Sequence, residues 1–157
     1  MREAQRLAVV NDGRAALAVT IDIGEPRNLH PTDKQDVGVR LARAARHLIY
    51  GESIPPSGPS PLSAQRARGG IIVHFGGVDG ALTAYSHENP IGFELCADGA
   101  AGCHWADARI DRDSVILAVP GGLSPTRVRY CWGDSPVCTL YDGSGLPAGP
   151  FEIPIRR

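Results

Sequence analysis

The pattern of apolar and polar positions divides the chain into a helical region and a β-rich region. Residues 2–10 predict a short helix, and residues from Asp33 to about Tyr50 predict a longer one because apolar residues recur there at helical spacing. Between them, residues 15–23 form a nearly continuous apolar run that ends in β-branched residues, as in a strand covered on both faces. These elements predict a helix–strand–helix unit of an α/β domain within residues 1–52.

From Gly70 onward the pattern becomes all-β. Short apolar runs alternate with clusters of Gly, Asp, Asn or Pro at intervals of roughly ten residues, which is typical of an antiparallel β-sandwich. The predicted strands are 71–75, 81–85, 92–96, 103–110, 114–119, 126–132 and 137–141. The connections 76–80 and 111–113 fit hairpins. We therefore expect a β-sandwich over residues 70–157.

The stretch between these regions differs from both. Residues 53–69 are rich in Pro, Ser and Gly and show no apolar periodicity. This composition is typical of a linker or of a connection that follows the protein surface, so we expect a linker there.

One histidine stands just before the second predicted helix. Thr32 and Gln35 have the spacing of a capping box, and Gly51 is a typical stop signal at the other end. His30 therefore lies in an irregular loop between the predicted strand and the helix, where α/β enzymes often hold a catalytic group. The plainer alternative is a histidine that only bonds a nearby backbone group.

Charge and composition narrow the classes of function. The chain of 157 residues has a net charge of −1, with 43% hydrophobic and 21% charged residues. This balance suits a globular fold with a core and makes no case for binding nucleic acid or an anionic membrane. No apolar run approaches the length of a membrane span. We expect neither a nucleic-acid nor a membrane partner, and the residue pattern calls for no cofactor.

The four cysteines form two sequence-local pairs, Cys96 with Cys103 and Cys131 with Cys138, each with six residues between its members. Two local disulfides are the simplest pairing, although four cysteines allow three pairings. Disulfides would indicate an oxidising compartment, so we expect a secreted or periplasmic location. The alternative is a zinc site that combines these cysteines with His104, but the spacing is longer than paired zinc ligands usually have.

Two blocks of residues carry a family resemblance. The first contains REAQ at 2–5, TIDIG at 20–24, HP at 30–31 and DKQDVGVRLA at 33–42. The second runs from VRY at 128–130 to GLPAGPF at 145–151. In order and spacing these blocks resemble the sialate O-acetylesterase family of the SGNH-hydrolase superfamily, over about residues 2–153. The resemblance implies the C-terminal portion of an SGNH three-layer α/β domain, followed by a β-sandwich that packs against it.

The resemblance also implies an activity, the hydrolysis of an O-acetylated sugar with His30 as general base. In that superfamily the nucleophilic serine and the oxyanion donors precede the histidine block, so we expect them in an N-terminal portion outside this chain. The chain alone should then be inactive. An aspartate three residues before the histidine usually orients the ring, but Arg27 occupies that position here. We therefore expect Asn28, Glu25 or a backbone carbonyl to orient the ring, unless a serine–histidine dyad suffices.

Two further patterns bear on this interpretation. Gly133, Asp134 and Ser135 spell the tripeptide that carries the nucleophile in SGNH enzymes, but they follow the histidine and precede Pro136, so they predict a turn. Four aromatic residues could line a sugar platform, although core or interface positions suit them better; these are Trp105, Trp132, Tyr130 and Tyr141. The alternative function is a stand-alone β-sandwich that binds carbohydrate or a partner without catalysis.

Overall fold

The computed structural model describes residues 1–99 and 102–156, which form two helices and ten strands. The helices are α1 (Arg2–Val10) and α2 (Lys34–Leu48). The strands are β1 (Ser60–Ala67), β2 (Gly70–Gly76), β3 (Thr83–Ala84), β4 (Phe93–Cys96), β5 (Cys103–Trp105), β6 (Ala108–Asp111), β7 (Ser114–Leu117), β8 (Arg127–Tyr130), β9 (Leu140–Tyr141) and β10 (Phe151–Arg156). Within the described residues, neither helix has the length and apolar composition that a membrane span requires.

Eight strands form one mixed sheet in the order β5-β4-β8-β10-β1-β2-β7-β6, and β3 pairs with β9 in a separate two-stranded sheet. Neighbours in the large sheet are antiparallel except β1 and β10, which run parallel. The sheet curls, so that its two halves share one core. The predicted antiparallel sandwich is therefore not confirmed, whereas the expected mixture of α and β structure is.

The core comes from strict alternation of side chains along the strands. On one half of the sheet, Phe93, Tyr130 and Phe151 lie in one row across β4, β8 and β10 and are almost completely buried. The ring of Phe151 contacts that of Phe75 on β2 at a centroid distance of 5.9 Å, which joins the two halves. The buried Tyr130 hydroxyl accepts a hydrogen bond from the Leu140 amide, and burial raises the pKa of Tyr130.

A central strand lies in the stretch that was expected to be a linker. Residues 60–67 form β1, which pairs with both β2 and β10. Only Ala64 on this strand is fully buried, and its outward positions are mostly polar, so the apolar alternation that marks a strand is absent. The assignment of 53–69 as a linker is wrong for this part, and β10 was also missed. The division into units 1–52 and 70–157 stays a prediction.

The predicted strand at 15–23 is not formed. Residues 15–19 are half-buried, but the sheet-forming strands of the described chain do not pair with them. A strand needs a neighbouring backbone to complete its hydrogen bonds, and apolar composition alone does not supply one. This segment is held instead through Val19, whose carbonyl accepts a hydrogen bond from Arg40.

Both predicted helices are present, and their bounds are close to the predicted ones. Helix α1 has the predicted bounds, and Gly51 has a φ of +68° just after α2. The cap of α2, however, is Asp33, whose carboxylate accepts from the Asp36 amide at 3.0 Å, and not Thr32. Thr32 bonds Glu25 instead, so the predicted capping box is wrong by one residue.

Of the two predicted hairpin connections, one is formed. Residues 111–113 join β6 to β7, with Arg112 in the left-handed region at φ +56°. Residues 76–80 leave β2, but the next strand pairs with β9 and not with β2.

Both local disulfides are present. Cys96–Cys103 crosslinks the facing ends of β4 and β5, and Cys131–Cys138 closes the segment after β8. The zinc alternative fails because all four cysteine sulfurs are oxidised. In residues 1–99 and 102–156 no cluster of three or more His, Cys, Asp or Glu side chains could hold a metal ion.

Candidate active-site histidine and its loop

The loop that carries His30 is braced by the side chain of Glu25. One carboxylate oxygen accepts hydrogen bonds from the backbone amide and the hydroxyl of Thr32, at 2.8 and 3.0 Å. The other accepts from the amide of Asn28 at 2.9 Å. The Thr32 backbone bond, followed by the Asn28 bond, lowers the pKa of Glu25. This carboxylate therefore ties both ends of the loop together around the histidine.

The predicted orienting residues act on the backbone of His30. The side-chain oxygen of Asn28 accepts from the His30 backbone amide at 2.9 Å, so Asn28 positions the residue without touching its imidazole. His30 is exposed, and the structure shows no hydrogen bond from its ring to a described residue. Glu25, Asn28 and His30 thus share one loop, as predicted, while their catalytic roles remain predictions.

A buried ion pair fastens the start of this loop to α2. The Arg40 guanidinium donates to both carboxylate oxygens of Asp22, at 2.5 and 2.7 Å, and to the carbonyl of Val19 at 2.6 Å. The two charged side chains are only 9% and 13% exposed. The hydrogen bonds to Asp22 raise the pKa of Arg40, so the guanidinium stays charged. Arg40 is a charged residue of an amphipathic helix, and nothing in the sequence indicates that it would be buried.

Both helices leave apolar side chains exposed. Helix α2 buries Arg40 and Ala44, and α1 buries no residue. The large apolar side chains left exposed on residues 1–50 are Met1, Leu7, Val10, Leu29, Val39, Leu41, Ile49 and Tyr50. A soluble monomer rarely exposes a large contiguous apolar patch, so a surface rich in such residues is typical of an interface.

Comparison with known proteins shows which proteins this chain is similar to. No family model matches it. A sialate O-acetylesterase from Pongo abelii is 32% identical over 140 residues, a match covering 79% of this chain, and the human sialate O-acetylesterase matches equally. The one from Mus musculus is 30% identical over 155 residues and covers 90% of this chain.

The curated homologues of this chain are sialate O-acetylesterases. The chain spans only 25% to 28% of their length, which is consistent with a C-terminal portion. Among solved structures, a carbohydrate acetylesterase from Xanthomonas citri superposes with a TM-score of 0.78 at 38% identity, covering 87% of this chain and 32% of that one.

Because acetylesterases are ester hydrolases, a serine beside a histidine is of interest. Ser135 is exposed in the bends after β8, and the carbonyls of Gly133 and Asp134 accept hydrogen bonds from the Arg2 guanidinium of α1. The structure shows no hydrogen bond between Ser135 and a described histidine. The Gly-Asp-Ser tripeptide therefore anchors α1 through its backbone, in keeping with the predicted turn.

A serine–histidine hydrogen bond does occur on the large sheet, where the sequence interpretation did not point. His74 Nδ1 lies 2.9 Å from the Ser114 hydroxyl, and its Nε2 lies 3.1 Å from Gln65 Nε2. If the Gln65 amide donates to Nε2, the ring proton is on Nδ1 and points to the serine. The imidazole then donates to the hydroxyl instead of taking its proton, which is the wrong polarity for a general base.

The four aromatic residues considered for a sugar platform do not form one group. Tyr130 is in the core, and Tyr141 is largely buried against the ring of Tyr85, at a centroid distance of 4.1 Å. Trp105 and Trp132 are exposed, at 70% and 39%. The prediction that these aromatic residues are core residues is therefore confirmed for the two tyrosines and not for the two tryptophans.

Proposed function

We propose that this chain is the C-terminal part of a carbohydrate O-acetylesterase of the sialate type, with His30 as the general base. The observation that carries the proposal is the His30 loop, a hydrogen-bonded backbone that exposes an imidazole with no hydrogen bond to residues 1–99 or 102–156. The relationship to sialate and carbohydrate acetylesterases supplies the reaction class.

The chemistry follows from the histidine's two roles. A serine on a portion outside these 157 residues attacks the acetyl carbonyl while His30 takes the proton of its hydroxyl. The sugar oxygen then leaves with that proton, and the acetyl group stays on the serine. Water attacks this acyl-enzyme with His30 again as base, which releases acetate and restores the serine. Oxyanion donors, also outside the chain, stabilise the tetrahedral intermediates.

The N-terminal portion of the esterase is the partner that this proposal requires. It would cover the outward apolar side chains of α1 and α2 and bring the serine to the exposed face of His30. The arrangement of these helices supports this assembly, since they bury only Arg40 and Ala44 and leave several large apolar side chains exposed. The function therefore belongs to the assembled enzyme.

The test is hydrolysis of p-nitrophenyl acetate by the isolated chain and by the longer protein that contains it. We expect no activity above background from the isolated chain. In the longer protein, His30→Ala should lower kcat by about 10²–10⁴-fold, the contribution of a general base. His47→Ala is the matched control, because His47 is an exposed histidine on the neighbouring helix.

Two results would contradict the proposal. One is activity of the isolated chain that disappears with Ser135→Ala, since that would make the Gly-Asp-Ser tripeptide the nucleophile block. The other is a longer protein whose activity survives His30→Ala.

We also infer an oxidising compartment, secreted or periplasmic, from the two disulfides. Thiol titration of protein isolated from its native source should find no free cysteine. Four reactive thiols per chain would contradict this location.

A further inference from the structure

Four side chains form one row across the outer face of the large sheet. The strand register places Trp105 opposite Glu94, Glu94 opposite Arg129, and Arg129 opposite Glu152. Directly opposed residues of antiparallel strands share a face, so all four project away from the Phe93–Tyr130–Phe151 row of the core. With strands about 4.8 Å apart, the row is about 14 Å long.

Arg129 is held rigidly at the middle of this row. Its Nε donates to Glu152 at 2.5 Å, its Nη1 lies 3.2 Å from the sulfur of Cys103, and its guanidinium carbon is 4.7 Å from the ring centroid of Trp132. Its Nη2 makes no hydrogen bond to a residue that the structure describes. The row therefore presents a donor whose direction is already set by three neighbours.

Glu94 supplies the complementary acceptor. Its Oε2 is buried and has no hydrogen-bond partner among the described residues, although Arg129 stands opposite it. A buried carboxylate oxygen without a donor is costly, and native proteins nearly always satisfy such atoms. Oε2 is screened from solvent in the free chain, so a ligand hydroxyl would reach it only after this half-buried side chain rotates. The hydrogen bond gained in that way would remove the cost.

We propose that the outer face of β5, β4, β8 and β10 binds a saccharide, with Trp105 and Trp132 as stacking surfaces and Glu94 and Arg129 as the polar contacts. A pyranose combines an apolar C–H face with hydroxyls that both donate and accept, and this face offers matching partners for each. The choice of a sugar rests on the proposed function, while the site itself rests on the geometry. The row is long enough for one or two sugar rings.

The charges on this face favour a small polar ligand over a polyanion. Glu94 and Glu152 offset Arg129 and its neighbour Arg127, whose Nε lies 3.6 Å from Glu152. No excess of positive charge is left to attract nucleic acid or an anionic lipid surface.

The chain contains only two tryptophans, and both lie at this face, so intrinsic fluorescence and the two indole N–H signals report on the site directly. We would titrate the protein with N-acetylneuraminic acid and separately with methyl β-xylopyranoside. A saturable change with a Kd of about 1 mM or tighter is expected for at least one of them. Preference for the carboxylated sugar would assign the Arg129 Nη2 group to its carboxylate, and equal binding would assign it to hydroxyls.

Trp105→Ala and Glu94→Gln should each weaken binding by about tenfold or more, because they remove a stacking surface and an acceptor. Trp105 is largely exposed, and Glu94→Gln keeps the side-chain shape, so at least one variant should retain the fold. Tyr50→Ala, an exposed aromatic residue at the end of α2, is the matched control and should bind normally. Absence of saturable binding to either sugar, or binding that neither variant weakens, would overturn the site. Since no hydrolysis is measured, that failure would leave the esterase proposal standing.

Discussion

The large sheet and the two helices are stabilised in opposite ways. In the sheet, apolar side chains face inward and are fully buried, among them Phe93, Tyr130 and Phe151. In the helices, the most buried long side chain is the charged Arg40, and most large apolar residues face outward. The sheet therefore closes its own core, whereas the helices leave several apolar side chains exposed. If the proposed assembly is right, the sheet is stable by itself and the helices depend on a partner surface.

The largest expected effect tests whether the curled sheet is one cooperative unit. Gly70 has a φ of +136°, and a Cβ there would lie 2.0 Å from the Leu117 carbonyl oxygen on the neighbouring strand β7. Gly70→Ala should lower the free energy of unfolding by about 4 kcal/mol or more. The cost of an unfavourable positive φ for alanine and the cost of the clash with the Leu117 carbonyl both contribute. Denaturant unfolding measures this.

Gly69→Ala is the matched control for this prediction. A Cβ at Gly69 meets nothing within 4 Å, so the free energy of unfolding should change by less than about 0.5 kcal/mol. Similar losses for the two variants would show that the close approach of β2 and β7 is not required.

One pair of identical substitutions sets the two regions side by side. Leu95 on β4 is 0% exposed, and Leu41 on α2 is 56% exposed. Leu95→Ala should cost about 2–5 kcal/mol through lost burial and a cavity, whereas Leu41→Ala should cost under about 1 kcal/mol in the isolated chain. Thermal unfolding distinguishes them. In the proposed assembly with an N-terminal portion the cost of Leu41→Ala should rise, and an unchanged small cost there would contradict the proposed interface.

Two ion pairs on α2 test how the helical region is held. Asp22→Asn leaves Arg40 buried without its counter-charge and should cost about 3 kcal/mol, mostly in the opening of α2. Glu52→Gln breaks the exposed pair with Arg46 and should leave the free energy of unfolding almost unchanged, because water and salt screen this pair. Hydrogen exchange should show faster exchange in α2 for Asp22→Asn with β2 unaffected. Equal acceleration in β2 would mean that helices and sheet unfold together.

The smallest expected effect is the loosening of the His30 loop at acidic pH. Because hydrogen bonds lower the pKa of Glu25 in the folded loop, its contribution is fully present above the ordinary carboxyl pKa and is lost as the pH falls through the lowered value. We expect acidification to release the Thr32 and His30 amides while the sheet amides stay protected. Glu25→Gln should show loosened amides already at neutral pH. An identical acid response in that variant would assign the effect to another group.

Much of the fold could be predicted from local patterns. Helix α1, the stop at Gly51, the strands β2, β4, β7 and β8, and both disulfides follow from periodicity, turn residues and short cysteine spacing. These features depend on residues that are close in sequence. The His30 loop was located in the same way, since a histidine directly precedes a helix start.

The failures share a different cause. Residues 60–67 look like a linker yet form the central strand β1, and residues 15–23 look like a strand yet stay unpaired. Side-chain patterns report which residues can be buried, but they do not report which distant backbone will pair with a segment. Both errors have this cause: residues 60–67 are polar but have strands on both sides to pair with, and residues 15–23 are apolar but have no strand to pair with.

For the candidate site, the sequence by itself determined where the histidine lies and which residues surround it in the loop. Only the tertiary structure decided that Glu25 and Asn28 hold its backbone, that Arg40 is buried against Asp22, and that four separate strands align Trp105, Glu94, Arg129 and Glu152. The physical reason is that loop and helix signals act over a few residues, whereas burial of charge and cross-strand register are set by contacts between segments far apart in the chain.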